Sequence, residues 1–122
     1  MDFGIAHHLV GEIAVVQVSG WIEIGSAPQM RDTLIGVIDE GHVHVVIDLS
    51  EVVFLDSTGL GVIIGLLHRL RTHNGSLALA GATDRVYKVF RTTQLTKVLT
   101  ITETVADAIA AVNSGAAGAQ AP

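Results

Sequence analysis

The residues Asp56-Ser57-Thr58-Gly59 bring a carboxylate, two hydroxyls and a glycine together just before a helical pattern. Leu60, Ile63, Leu67 and Leu70 recur at three- and four-residue spacing, so a helix is predicted to start at this junction and lay that stripe on a sheet. A hydroxyl there stands beside unpaired backbone N–H groups and the positive end of the helix dipole, which suits an anion such as phosphate. Two readings of Ser57 follow: a helix cap, or a phosphate acceptor. Counting on by fours gives Gly61 and Gly65, with His68 and Thr72 alongside, so the ridge beside the serine is nearly bare. Glycine inside a helix costs about 1 kcal/mol and needs a reason. The reason is either close approach of a partner or a tight fit of the helix on its own sheet.

Other chemistries lack their partners. A nucleophile elbow needs glycine two residues before and after the serine, whereas Leu55 precedes Ser57 and Gly59 follows it. Gly59, Gly61 and Gly65 are not accompanied by the Gly-Lys-Ser/Thr of a phosphate-gripping loop. His42 and His44 would share one face of a strand, but no HExxH, cysteine or acidic cluster completes a metal site. His7, His8, His68 and His73 are read as solvated or capping side chains. No metal, cofactor or catalytic activity is expected.

The elements that place the junction are readable from periodicity. Val43, Val45, Val46, Ile47 and Leu49 form the run of a strand buried on both faces, and a short segment, 51–55, is expected to cross from it to the helix. Upstream, Phe3, Ile5, Leu9 and Val10, a turn at Gly11-Glu12, and Ile13 to Val18 predict a hairpin ending at Gly20. Ser26 and Pro28 open a first helix with Met30, Leu34, Val37 and Ile38 inward and Gly41 as its stop. Downstream, Arg69, Arg71 and Thr72 should face water, and Asn74-Gly75 should turn the chain into a strand with Leu77 and Leu79. That strand should lie parallel to its predecessor through a right-handed crossover. Asp84 is expected to cap a third helix with Val86, Val89 and Phe90 inward. Leu95, Val98, Leu99 and Ile101 mark a short last strand, and Val105, Ala108, Ile109 and Val112 a last helix. The fold class is α/β: a single sandwich with a mixed sheet of four to five strands and alternating helices.

The segments SGWIEIGSAP, VVIDLSEVVFLDSTGLG and VFRTTQLTKVLTI, in this order and spacing, resemble the bacterial anti-sigma factor antagonists of the STAS domain family over about residues 3 to 112. The resemblance implies that Ser57, directly after the aspartate, is the phosphorylated residue rather than Thr58. It also implies that the unphosphorylated domain binds an anti-sigma factor with ATP-dependent serine kinase activity and frees a sigma factor. Phosphorylation reverses this, and a separate serine phosphatase resets it. Trp21, Glu23 and Gly25 fall where the family has a partner-contact loop, with Glu23 where an aspartate is usual. Trp21 and Glu23, together with Asp56, Ser57 and Thr58 and the ridge of Gly61, Gly65 and His68, make up the expected partner surface. Two alternatives are a STAS adaptor subunit of a larger assembly such as a lipid-transport complex, its serine unused, and a small nucleotide- or ligand-binding domain.

Composition bounds these readings. At 122 residues and 12.8 kDa the chain suits one core, here residues 1–112, with NSGAAGAQAP at 113–122 expected to be a disordered tail. Residues 1–56 carry nine acids and one base, a balance of −8, and residues 57–122 carry six bases and three acids, a balance of +3. The total of −5 argues against nucleic acid as the partner and fits a charged protein partner steered on approach. The absence of cysteine, of a leader-like N-terminus and of any apolar run near membrane-span length leads us to expect a cytoplasmic protein with no membrane contact.

Overall fold

A computed structural model describes residues 2–115. The chain runs β1 (Gly4–Val10), β2 (Ile13–Ile22), α1 (Ala27–Asp39), β3 (His44–Leu55), α2 (Ser57–Thr72), β4 (Ser76–Ala80), α3 (Asp84–Thr92), a single 3-10 turn (Leu95–Lys97), β5 (Thr100–Thr102) and α4 (Val105–Asn113). The five strands stand in the sheet in the order in which they occur in the chain. β1 is antiparallel to β2, and every later pair is parallel. This is the expected mixed α/β sheet.

Sequential strand order dictates where the helices go. Right-handed crossovers that always step in the same direction across a sheet deposit their helices on the same face. Met30, Leu34 and Ile38 of α1, Leu60, Ile63, Leu67 and Leu70 of α2, and Val86 and Phe90 of α3 accordingly share one cluster. They meet Val16, Val18, Val45, Ile47, Leu49, Leu77 and Leu79 of the sheet. Only the helix after the last strand is free to reach the opposite face. There Ala108 and Val112 of α4 pack on Ile13, Val15, Val46, Ala78 and Ala80. The alternation in β4, leucine to one face and alanine to the other, sets a thick layer against a thin one.

Several boundaries differ from expectation. β3 does not stop at Leu49 but continues to Leu55, because β2 also continues past Gly20 and pairs with it, Trp21 against Phe54 and Ile22 against Leu55. Register shifts on either side of Ser19 and Gly20 break the alternation that would have revealed this extension. Leu95 lies in the 3-10 turn and Val98 is 52% exposed, so the last strand is only Thr100–Thr102. The cap of α3 is Thr83, whose Oγ1 accepts from Val86 N–H at 3.4 Å, while Asp84 sits in the first turn. Arg71 is half-buried rather than solvated, with its Nε enclosed. His42 precedes β3 and lies 4.0 Å from Glu40, whereas His44 Nδ1 meets Ser76 Oγ at 2.7 Å, so the two do not share a strand face. α4 includes Asn113 and is capped by Ser114. The rest of the expected tail, 116–122, lies outside the described residues.

Gly20 is the point on which the β2 extension turns. Its φ is +85°, and a Cβ there would run into the Asp2 carbonyl. Gly20→Ala is expected to cost about 1–3 kcal/mol, read as a lowered urea midpoint; an unchanged midpoint would show that the turn tolerates a side chain.

Candidate functional site

The end of β3 delivers Asp56 to the start of α2. Asp56 is extended, with φ −99° and ψ −178°, and its Oδ1 accepts from Gly59 N–H at 2.9 Å. Its own N–H donates to the Ile22 carbonyl at 3.1 Å, and its carbonyl accepts from Leu60 N–H at 3.0 Å. Asp56 is therefore the cap, and the capping reading of Ser57 is overturned. Ser57 is the first residue of the helix, exposed, and among the described residues no hydrogen bond engages its hydroxyl. Thr58 is exposed beside it. Both are in the first turn, where backbone N–H groups lack intrahelical acceptors.

The glycines divide into two roles. Gly59 is buried, and a Cβ on it would collide with Ile22 and come within 2.8 Å of Leu55 Cδ1. The tight fit to the sheet thus falls on Gly59. At Gly61 and Gly65 an added Cβ would meet nothing within 4 Å. They are exposed and line a groove of about 310 Å³ between α1 and α2. Its walls include Leu34, Ile35, Val62 and Leu66, with Thr58 and Arg31 among the polar lining. Arg69, also in the lining, stands 3.8 Å from Asp39. His68 is exposed on the same ridge as Ser57, about 16 Å along the helix axis.

The expected contact loop lies next to this junction through the sheet. Trp21, 43% exposed, stacks at a tilt on Phe54 of β3, ring centroids 5.1 Å apart. Glu23 differs from expectation: it is half-buried, and its Oε1 accepts from Gly25 N–H at 3.1 Å. Its N–H donates to Ser26 Oγ at 3.0 Å, and that hydroxyl donates to the Trp21 carbonyl at 2.7 Å. Ser26 precedes α1 as expected but pins the loop instead of capping the helix. Ile24 is 72% exposed, and no periodicity in the sequence marks it. An isoleucine followed by glycine in a connecting loop was the available signal.

The sequence profile of the STAS domain matches residues 5–108. The chain belongs to the STAS domain family. Among curated proteins, this STAS domain is similar to the anti-sigma-B factor antagonist of Listeria monocytogenes, 39% identical over 85 residues, which are 69% of this chain and 74% of that protein. Among solved structures it resembles an anti-sigma factor antagonist from Mycobacterium paratuberculosis, with a TM-score of 0.85, 27% identity, and coverage of 92% of this chain and 95% of that one. It also shares the fold of the Bacillus cell fate determinant SpoIIAA, solved in its phosphorylated form, with a TM-score of 0.71, 22% identity, and coverage of 89% and 99%.

The STAS domain brings Trp21, Asp56, Ser57 and Thr58 to one end of the sheet, the end at which β2 and β3 finish together. The glycine ridge carries that surface down α2 to His68. Among the described residues no three His, Asp or Glu side chains gather as a metal site, and no helix is long and apolar enough to cross a membrane.

Asp56→Ala removes the only side-chain cap of α2 and is expected to cost about 1 kcal/mol, with Asp56→Asn recovering most of it. Chemical denaturation of both variants checks this. Equal stability of the alanine variant would mean that the Asp56 backbone bonds alone hold the helix start.

Proposed function

We propose that this STAS domain is an anti-sigma factor antagonist that works as a phosphorylation switch, with Ser57 as the acceptor. The observation that carries the reading is the placement of Ser57: exposed, without a hydrogen-bond partner among the described residues, at the first position of a helix whose cap is another residue. A hydroxyl already used as a cap would have to break that bond to receive a phosphate. The name borne by the Listeria relative supports the assignment, and SpoIIAA, which shares the fold, has a phosphorylated form. The unphosphorylated domain docks an anti-sigma factor that is also a serine kinase. The docking surface comprises Trp21, Ile24, Ser57 and Thr58 with the groove beside Gly61, Gly65 and His68. Glu23 and Asp56 act from behind by holding the loop and the helix start. A serine phosphatase restores the binding form.

A phosphate adds about −1.5 to −2 charges at the centre of that surface. Within the free domain the N–H groups of the first turn and the dipole offset it by roughly 0.3–1 kcal/mol, so the fold is kept. In the complex a buried, unpaired charge costs about 2–5 kcal/mol. Partner binding should weaken by between one and several powers of ten.

Ser57→Asp should fold and lose partner binding, Ser57→Ala should bind and refuse phosphate, and Thr58→Ala should still be modified at Ser57. Fragmentation mass spectrometry after incubation with the kinase, together with binding titrations, decides this. Phosphate on Thr58 alone, or full binding by the modified protein, sinks the switch.

The glycine ridge gives a second test with opposed signs. Because a Cβ at Gly61 or Gly65 meets nothing, each alanine substitution should stabilise the free domain by about 0.5–1 kcal/mol. The double substitution to leucine should fold and bind the partner at least about tenfold more weakly if the groove is a docking site. Unimpaired binding by that variant would remove the ridge from the interface.

A further inference from the structure

Among the described residues strand β1 leaves one edge of the sheet open, and its main chain has a symmetry of its own. The two-residue turn Gly11-Glu12 sets Val10 opposite Ile13, the position at which a hairpin of this length exchanges its N–H···O bonds. Alternation along an antiparallel ladder then turns the main-chain groups of Gly4, Ala6, His8 and Val10 towards β2 and those of Ile5, His7 and Leu9 away from it. His7 is the middle residue of Gly4–Val10, and the outward groups are spaced evenly about it. We propose that two copies of this chain pair through β1, antiparallel, about a twofold axis at His7.

In that register Ile5 meets Leu9 of the other copy, His7 meets its counterpart, and Leu9 meets Ile5. Three positions exchanging two bonds each give about six hydrogen bonds, so every outward group finds a partner. Registers centred on Ile5 or Leu9 leave some of them unmet. The side chains agree with the main chain. Leu9 and Val10 are 50% and 42% exposed, and the pairing would cover Leu9 with Ile5, which already packs on the main core. Electrostatics also permit it, since no Asp, Glu, Lys or Arg occurs from Phe3 to Gly11 in a chain of net charge −5. The devices that usually protect an edge, lysine, proline or a bulge, are missing from β1. The nearest charges, Asp2 and Glu12, flank the strand, and Asp2 of one copy approaches Glu12 of the other. Added salt should therefore strengthen the association.

A seven-residue edge on each side buries on the order of 800 Å² in total, about half of a standard stable interface, so the dimer is concentration-dependent. Sedimentation velocity of the full chain from about 10 μM to 1 mM should show a coefficient that rises with concentration. In the main chain His7→Pro deletes a single N–H, one that faces away from β2, a position where an edge strand accepts proline. It should keep the melting temperature and stay monomeric. Leu9→Lys gives the same answer by charge if the proline variant fails to fold. Amide exchange at Ile5, His7 and Leu9 should slow at least about threefold in the concentrated sample, while Ala6 and His8 stay unchanged. A chain that remains monomeric throughout, or a dimer that persists in a folded His7→Pro or Leu9→Lys, overturns the proposal.

Discussion

The double attachment of Asp56 is what the rest of the site depends on. Its N–H is held by the Ile22 carbonyl at the end of β2, and its carboxylate holds the Gly59 amide in the first turn of α2. One residue thus joins a strand end to a helix start, and Ser57 is left with nothing to do structurally. Gly59 belongs to the same arrangement, because α2 can come this close to Ile22 and Leu55 only without a side chain there. The exposed hydroxyl is in this sense a by-product of how firmly its neighbours are fixed. A phosphate on it meets a backbone already committed, so its charge is presented to the outside instead of being absorbed by local rearrangement.

The sandwich is unequal, and the inequality serves the site. Three helices on one face build the thick layer that supports α1 and α2 side by side, and the groove between them exists because both follow parallel strands and run in the same direction. The other face needs only α4, with alanines at the contact. The far ends of β2 and β3 extend beyond Ala80, where β4 stops, and the α4 cluster does not reach them. The Trp21–Phe54 pair occupies that extension.

Much of the fold was legible because β4, the first part of β3 and the four helices carry clean periodicity. Where legibility failed, tertiary geometry overrode local pattern. Asp56 and Ser57 are both good caps, and only the length of β3 decides which arrives in position; that length was hidden by Ser50 and Glu51 interrupting an apolar run and by two shifts in the β2–β3 register, each with an extra residue in β3. Whether a helical glycine faces a sheet or open space cannot be read from spacing alone, so the two explanations left open for the helical glycines divide between Gly59, tight on the sheet, and the Gly61–Gly65 pair, facing open space. Glu23 looked like a surface charge because nothing in the sequence announces that its carboxylate folds back onto Gly25. The lone hydrophobic Ile24 gave no periodic signal at all.

The order of the strands carries a consequence for how the molecule comes into being. Each strand pairs with the one synthesised just before it, so no pairing has to wait for a distant part of the chain, and loop closure stays short at every step. A nascent chain leaving the ribosome can lay down the sheet one strand at a time from its N-terminal hairpin. β2, β3 and α2, the elements that create the Asp56–Ser57 junction, are all present by Thr72. Helix α4 arrives last, to cover the face of the sheet that the earlier helices leave bare.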